Sequence, residues 1–277
     1  MTTWTDEAMD AGACGSVRTR IYQPGDVGRD APLVLHLHGG GFIDGSLDSG
    51  HEMSKLLASA GAVVVSVAYP QAPESRFPRA LEVAFGLLTK LHRNRARWSS
   101  RKSGLFVAGE EAGGNLAAGL ALMARDQKAP VLAGQILISP MLDPCLATCS
   151  MREADAGPVG CKWADGWHQY LGSAEKAAHP YASPLGSSRL AGLSPALILT
   201  AEDDLLRDES LSYGQRLRQA GVRVETYVLP APTGWPARLS GTAPFETSWE
   251  SALRDRVTDF LLANSPIGSH MRMQPSN

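Results

Sequence analysis

One run of twelve residues restricts this chain to a small set of folds. From Leu105 to Leu116 it reads LFVAGEEAGGNL: an apolar strand, a tight turn bracketed by Gly109 and Gly113, and the start of a helix. Glycine is needed at both brackets, because a strand that reverses at once into a helix is strained at the turn, and the helix must pack close against the strand it has left. Glu111 falls at the apex, the position such a unit presents at the head of its helix.

The remainder of the chain repeats the alternation. Short apolar runs bounded by glycine and proline predict strands at Val17–Tyr22, Leu33–Leu37, Val63–Ala68, Leu105–Ala108, Gln135–Ser139, Ala196–Thr200 and Val224–Leu229. Between them apolar residues recur at helical spacing over Glu52–Ala60, Pro78–Leu91, Asn115–Ala124, Arg207–Ala220 and Glu246–Leu262. This is the α/β pattern of a mostly parallel central sheet with helices on both faces. Pro78 suits a first helical turn, and Gly221 suits the left-handed residue that closes one. From Asp143 to Leu193 no strand pattern occurs; the segment is rich in Gly, Ala and Ser, carries Trp163, Trp167 and Tyr170, and reads as an insertion that covers a pocket. A single domain is expected over residues 1–264, with that insertion at about 143–193 as a cap, and residues 265–277, which contain GSHM, as a disordered tail.

Composition removes several classes of function. The formal net charge is -2 with both signs interspersed, so nothing favours nucleic acid or an anionic membrane surface. The start, MTTWTDEAMDAG, has neither a basic opening nor an apolar core, and no apolar run approaches membrane-spanning length, which predicts a cytoplasmic protein. Cys14, Cys145, Cys149 and Cys161 show no C-x-x-C pair and no neighbouring His pair; they read as reduced thiols, and neither a metal nor a cofactor is expected.

Four ordered motifs carry a family resemblance. Gly109–Gly113 matches a G-x-S-x-G nucleophile elbow with Glu111 in place of serine, and His38-Gly39-Gly40-Gly41-Phe42, directly after a strand, resembles an HGGG loop. Tyr69-Pro70-Gln71-Ala72-Pro73-Glu74 with Phe77-Pro78 is similar to a YRLAPE...FP segment, and Asp204 to Glu209 resembles a D-P-L-R-D-E acid loop. Together they resemble the hormone-sensitive-lipase-like carboxylesterases over about Val17 to Leu262. The resemblance implies an α/β-hydrolase fold, an oxyanion hole formed by the amides of Gly39, Gly40 and Ala112, and a Ser-His-Asp triad whose acid is Asp204.

The departures fall on the triad itself. Besides Glu111, the loop where the family reads L-P-x-x-x-H-G-F runs Leu229-Pro230-Ala231-Pro232-Thr233-Gly234-Trp235, so Thr233 stands on the histidine position. Only 37 residues precede His38, fewer than the family usually carries, which implies a reduced cap. Of seven histidines, only His270 lies beyond Asp204, and it is in the tail; His38 reads as a structural part of its loop and His36 as a satisfied core residue.

Several roles remain open to Glu111. As a nucleophile it would form an ester that needs a base to activate water, and the base position holds threonine. As a plug it would swing its carboxylate into the oxyanion hole, against the amides of Ala112 and of Gly40 or its neighbour, where backbone N–H groups accept an anion. In an open site it would be a solvated side chain. Two functions follow: a pseudo-hydrolase that binds a small apolar or ester-like ligand or a partner protein, as some plant hormone receptors of the family do, or an enzyme using Glu111 and Asp204 for non-hydrolytic acid/base chemistry. A homodimer is compatible with either. Glu111, Thr233 and Asp204 are expected at the carboxyl ends of the strands, facing one cavity partly roofed by residues 143–193.

Overall fold

The runs of Val, Leu, Ile and Ala build one eight-stranded sheet: Thr3–Asp10 (β1), Ser16–Gln23 (β2), Leu33–Leu37 (β3), Val63–Val67 (β4), Leu105–Glu110 (β5), Gly134–Ile138 (β6), Ala196–Ala201 (β7) and Val224–Leu229 (β8). The computed structural model describes residues 2–265, apart from 26–27, 29, 154–156, 237, 240–244 and 246. The tail expected at 265–277 lies outside the described residues beyond Ser265. Strand order is β1-β2-β4-β3-β5-β6-β7-β8. The pairs β1/β2 and β2/β4 are antiparallel and all others parallel.

Every residue of β3 to β7 is buried, as expected of parallel strands covered on both faces. Successive residues feed opposite cores. Leu35, Val65, Val107, Leu137 and Ile198 face a layer made by Arg79–Arg93 (α2), Ala112–Asp126 (α3) and Arg207–Gln219 (α6). Val34, Val64, Phe106, Ile136 and Leu197 face His51–Ser59 (α1) and Thr247–Asn264 (α7). The 143–193 segment contributes Cys149–Glu153 (α4), Gly157–Leu171 (α5) and two short 3-10 turns. Among the described residues no helix is long and apolar enough to cross a membrane.

Several elements, the short helix α4 among them, depart from the sequence reading. Strand β1 was not expected, because only Met9 of its residues is buried. Its hairpin with β2 is held by charge and ring contacts instead: Arg20 donates to Asp6 at 2.7 Å and its guanidinium lies 4.2 Å from the centre of the Trp4 ring. Helix α3 starts at Ala112, three residues before the expected Asn115, since Gly113 and Gly114 hide its first turn. Helix α5, also unexpected, carries glycines at 157, 160 and 166 that weaken its signal. Gly221 does close α6 in the left-handed conformation, φ +79°, with the Val222 amide donating to the Leu217 carbonyl.

Candidate functional site

Parallel register brings two turns side by side. Leu37 of β3 pairs with Gly109 of β5, so the loop from His38 to Phe42 and the turn at Glu111 leave the sheet as neighbours. The contact is backbone to backbone: a Cβ on Gly113 would lie 1.9 Å from the Leu37 carbonyl oxygen, and one on Gly109 would lie 2.2 Å from that of Gly113. Glycine is therefore required at both brackets. Between them Glu111 adopts φ 55° and ψ -118°, a strained conformation for a residue with a side chain. Its amide donates to the Ile138 carbonyl and its carbonyl accepts from the Met141 amide, which fix the turn against the end of β6.

The Glu111 side chain is 4% exposed. It makes no cap bond to α3; instead Oε2 accepts the Gly40 amide at 3.0 Å and Oε1 accepts Nε1–H of Trp163 in α5. Of the two amides expected, Gly40 is a partner and Ala112 is not. Helix α5 supplies the second donor.

Helix α5 lies directly on the glycine loop. A Cβ on Gly166 would come 2.0 Å from the Gly41 carbonyl oxygen, the Phe42 ring stacks on Tyr170 at 4.1 Å, and Lys162 pairs with Asp44 at 3.0 Å. Trp163, Trp167 and Tyr170 are each no more than 2% exposed. Five surface clefts among the described residues, of about 240 to 920 Å³, are lined by other residues; Glu111, Asp204 and Thr233 line none of these five.

Beneath the loop sits a second buried carboxylate. Glu110 Oε1 accepts the Gly39 amide at 3.1 Å, and Oε2 meets His36 Nε2 at 2.7 Å, while the other His36 nitrogen contacts Ser54 and Ser66. His38 donates through Nδ1–H to the Gly39 carbonyl and stacks on Tyr69; burial lowers its pKa to about 4, so it is neutral at pH 7. Both histidines thus serve the architecture of the loop.

Asp204 and Thr233 follow β7 and β8 at the carboxyl end of the sheet, as Glu111 follows β5. No hydrogen bond joins the Asp204 and Thr233 side chains. Thr233 donates its hydroxyl to Asp203 at 2.7 Å, and Asp203 also accepts the amides of Thr233 and Gly234. Burial would raise the Asp203 carboxyl, but those three bonds hold it below its ordinary value. Asp204, 1% exposed, accepts from the hydroxyls of Ser139 at 2.9 Å and Thr200 at 2.6 Å and from the Leu206 amide at 2.9 Å; burial nevertheless pushes its pKa up. Sequence reasoning missed Asp203 because two adjacent aspartates offer no signal of which way each points. It missed the Trp163 contact because 52 residues separate the partners.

Residues 34–233 match the sequence model of the alpha/beta hydrolase fold family. The chain belongs to the α/β-hydrolases. Several of its relatives are named as esterases. It is 35% identical over 215 residues to Carboxylesterase NlhH of Mycobacterium tuberculosis (strain ATCC 25618 / H37Rv), covering 76% of this chain and 67% of that one. It is 34% identical over 237 residues to Gibberellin receptor GID1C of Arabidopsis thaliana, covering 81% of this chain and 67% of the receptor. Among solved structures, esterase LipW from Mycobacterium marinum superposes with a TM-score of 0.82 at 35% identity, over 94% of this α/β-hydrolase and 81% of LipW. The chain is thus a hormone-sensitive-lipase-like, esterase-type α/β-hydrolase.

Proposed function

We propose that this α/β-hydrolase has lost serine-esterase chemistry and acts as a cytoplasmic binding protein for a small apolar or ester-like ligand, its triad degenerate at Glu111 and Thr233. The observation that carries this reading is the Glu111 carboxylate, which accepts at once from the Gly40 amide and the Trp163 indole. In this reading Gly40 belongs to the oxyanion hole with Gly39 and Ala112, and the carboxylate occupies the donor that a substrate oxygen would need. Among the described residues no histidine takes the place of the general base: Thr233 on that position is bound to Asp203, and the histidines next to the loop are held by Glu110 and by the Gly39 carbonyl. The likeness to a gibberellin receptor supports a binding role, because that relative is named for recognition rather than for hydrolysis.

Loss of triad members acting as a unit costs on the order of 10⁴ to 10⁶ in rate. The purified chain is expected to hydrolyse short p-nitrophenyl esters no faster than a Glu111→Ala control. Saturable turnover that Glu111→Ala abolishes overturns the proposal. That result would favour acid/base or nucleophilic chemistry by Glu111 with Asp204, whose carboxyl pKa burial raises above its ordinary value.

A further inference from the structure

Helix α3 begins at the Glu111 turn and ends, about 22 Å away along its axis, at a different kind of surface. There a cleft of about 920 Å³ is lined by Arg125, Asp126, Lys128, Ser188, Arg189 and Arg216, among others. Arg125 forms its wall: Nε and Nη2 bind Asp126 at 2.9 and 2.8 Å, and Nη1 donates to the carbonyls of Arg189 and Ala191. Arg216 donates Nη2–H to the Ser187 carbonyl at 2.7 Å and has further N–H groups to offer. Arg189 and Lys128 are exposed.

The bland explanation for such basic residues is that they complement helix dipoles, since α3 and α6 both end here. Magnitudes decide against it as a full account. A helix C-terminus is equivalent to about half a negative charge, so two of them and one carboxylate leave a surplus of about two positive charges among the four cations. Asp126 counts as an anion: burial would raise its carboxyl, but bonds from Arg125 and Tyr181 hold it below its ordinary value. The surplus is local, because the chain as a whole has a formal net charge of -2.

We propose that this cleft binds a small dianion of the phosphate-monoester type, gripped by Arg189, Lys128 and the remaining N–H groups of Arg216. Guanidinium groups match the planar pairs of oxygens on a phosphate, and the cleft is within the roughly 300–1,000 Å³ range of metabolite sites. The cations converge on one concavity rather than forming the stripe that a nucleic acid backbone requires.

Titration calorimetry on the full chain at constant ionic strength, with inorganic phosphate, glucose 6-phosphate and chloride, tests the site. Saturable 1:1 binding of either phosphate is expected, weakened at least tenfold by Arg189→Ser and by Lys128→Ser, and less by Arg189→Lys, with unfolding temperatures unchanged. Tighter binding of glucose 6-phosphate identifies a phosphorylated metabolite as the occupant, and equal binding identifies free phosphate. Heats indistinguishable from chloride, parent-like affinity in both serine variants, or capture of a short DNA duplex without phosphate binding would each overturn the proposal. None of these variants touches Glu111, so the outcome is independent of the proposed loss of esterase chemistry.

Discussion

At residue 111 two opposing effects meet. A positive φ on a residue with a side chain costs on the order of 1–3 kcal/mol, and the turn geometry imposes it whatever residue stands there. Against that, the carboxylate satisfies the amide of Gly40 and the indole N–H of Trp163, and hydrogen bonds to an ionised acceptor are about twice as strong as neutral ones. Glu111→Gln keeps the shape and removes the charge, so it is expected to lower stability at pH 7 by about 1–2 kcal/mol. Trp163→Phe removes one donor, and a double-mutant cycle should give a coupling of about 0.5–3 kcal/mol between the two positions. Urea denaturation measures both; a Gln variant as stable as the parent would mean that the charge contributes nothing. The apex position of Glu111 was legible from two glycines and a strand. Its partner in the cap was not, since no local periodicity encodes a contact made across an insertion.

Among the elements, the strands were the most legible. Runs such as Val63–Val67 and Leu105–Ala108 are apolar on both faces and short, a signature that only a doubly covered sheet leaves. Strand β1 left no such mark because its partners are ionic. The cap shows a third case, in which position is set by helix α6. There Glu209 Oε2 accepts the amides of Leu142 and Asp143 at 3.2 and 3.0 Å, pinning the start of the cap, while Oε1 is buried without a hydrogen-bond partner among the described residues. Burial raises the Glu209 carboxyl well above its ordinary value, the amide bonds opposing it only in part. The native state therefore keeps a proton that the unfolded state releases above about pH 4.3, and stability falls as pH rises from there toward the raised native value. Glu209→Gln has no proton to lose. Its stability relative to the parent should increase steadily between pH 5 and 8 in thermal or denaturant melts, and a constant difference across that range would show that Glu209 is ionised in the folded protein.

For the molecule as a whole, the scaffold and the chemistry separate cleanly. Both cores, the glycine brackets and the carboxyl-end placement of residues 111, 204 and 233 are those of a hydrolase fold, whereas the Glu111 side chain is hydrogen-bonded to Gly40 and Trp163 and the Thr233 side chain to Asp203. Restoring one residue should then restore nothing. Glu111→Ser alone is expected to stay at background with p-nitrophenyl esters, while Glu111→Ser with Thr233→His should exceed it by at least about tenfold, because triad members are non-additive. Equal rates for the single and double variants would mean that loop 230–235 no longer reaches the turn.

On the reading proposed above, the charge at Gly40 carries a further meaning. An active relative gathers negative charge beside that amide only at the crest of its reaction, so the attraction there lowers a barrier. Here a carboxylate is built into the ground state at that amide, held between the glycine loop and helix α5. The same electrostatic attraction that gives an enzyme its speed would in this chain hold the glycine loop against helix α5, and any mutation that recovers turnover at this turn should do so by weakening that contact.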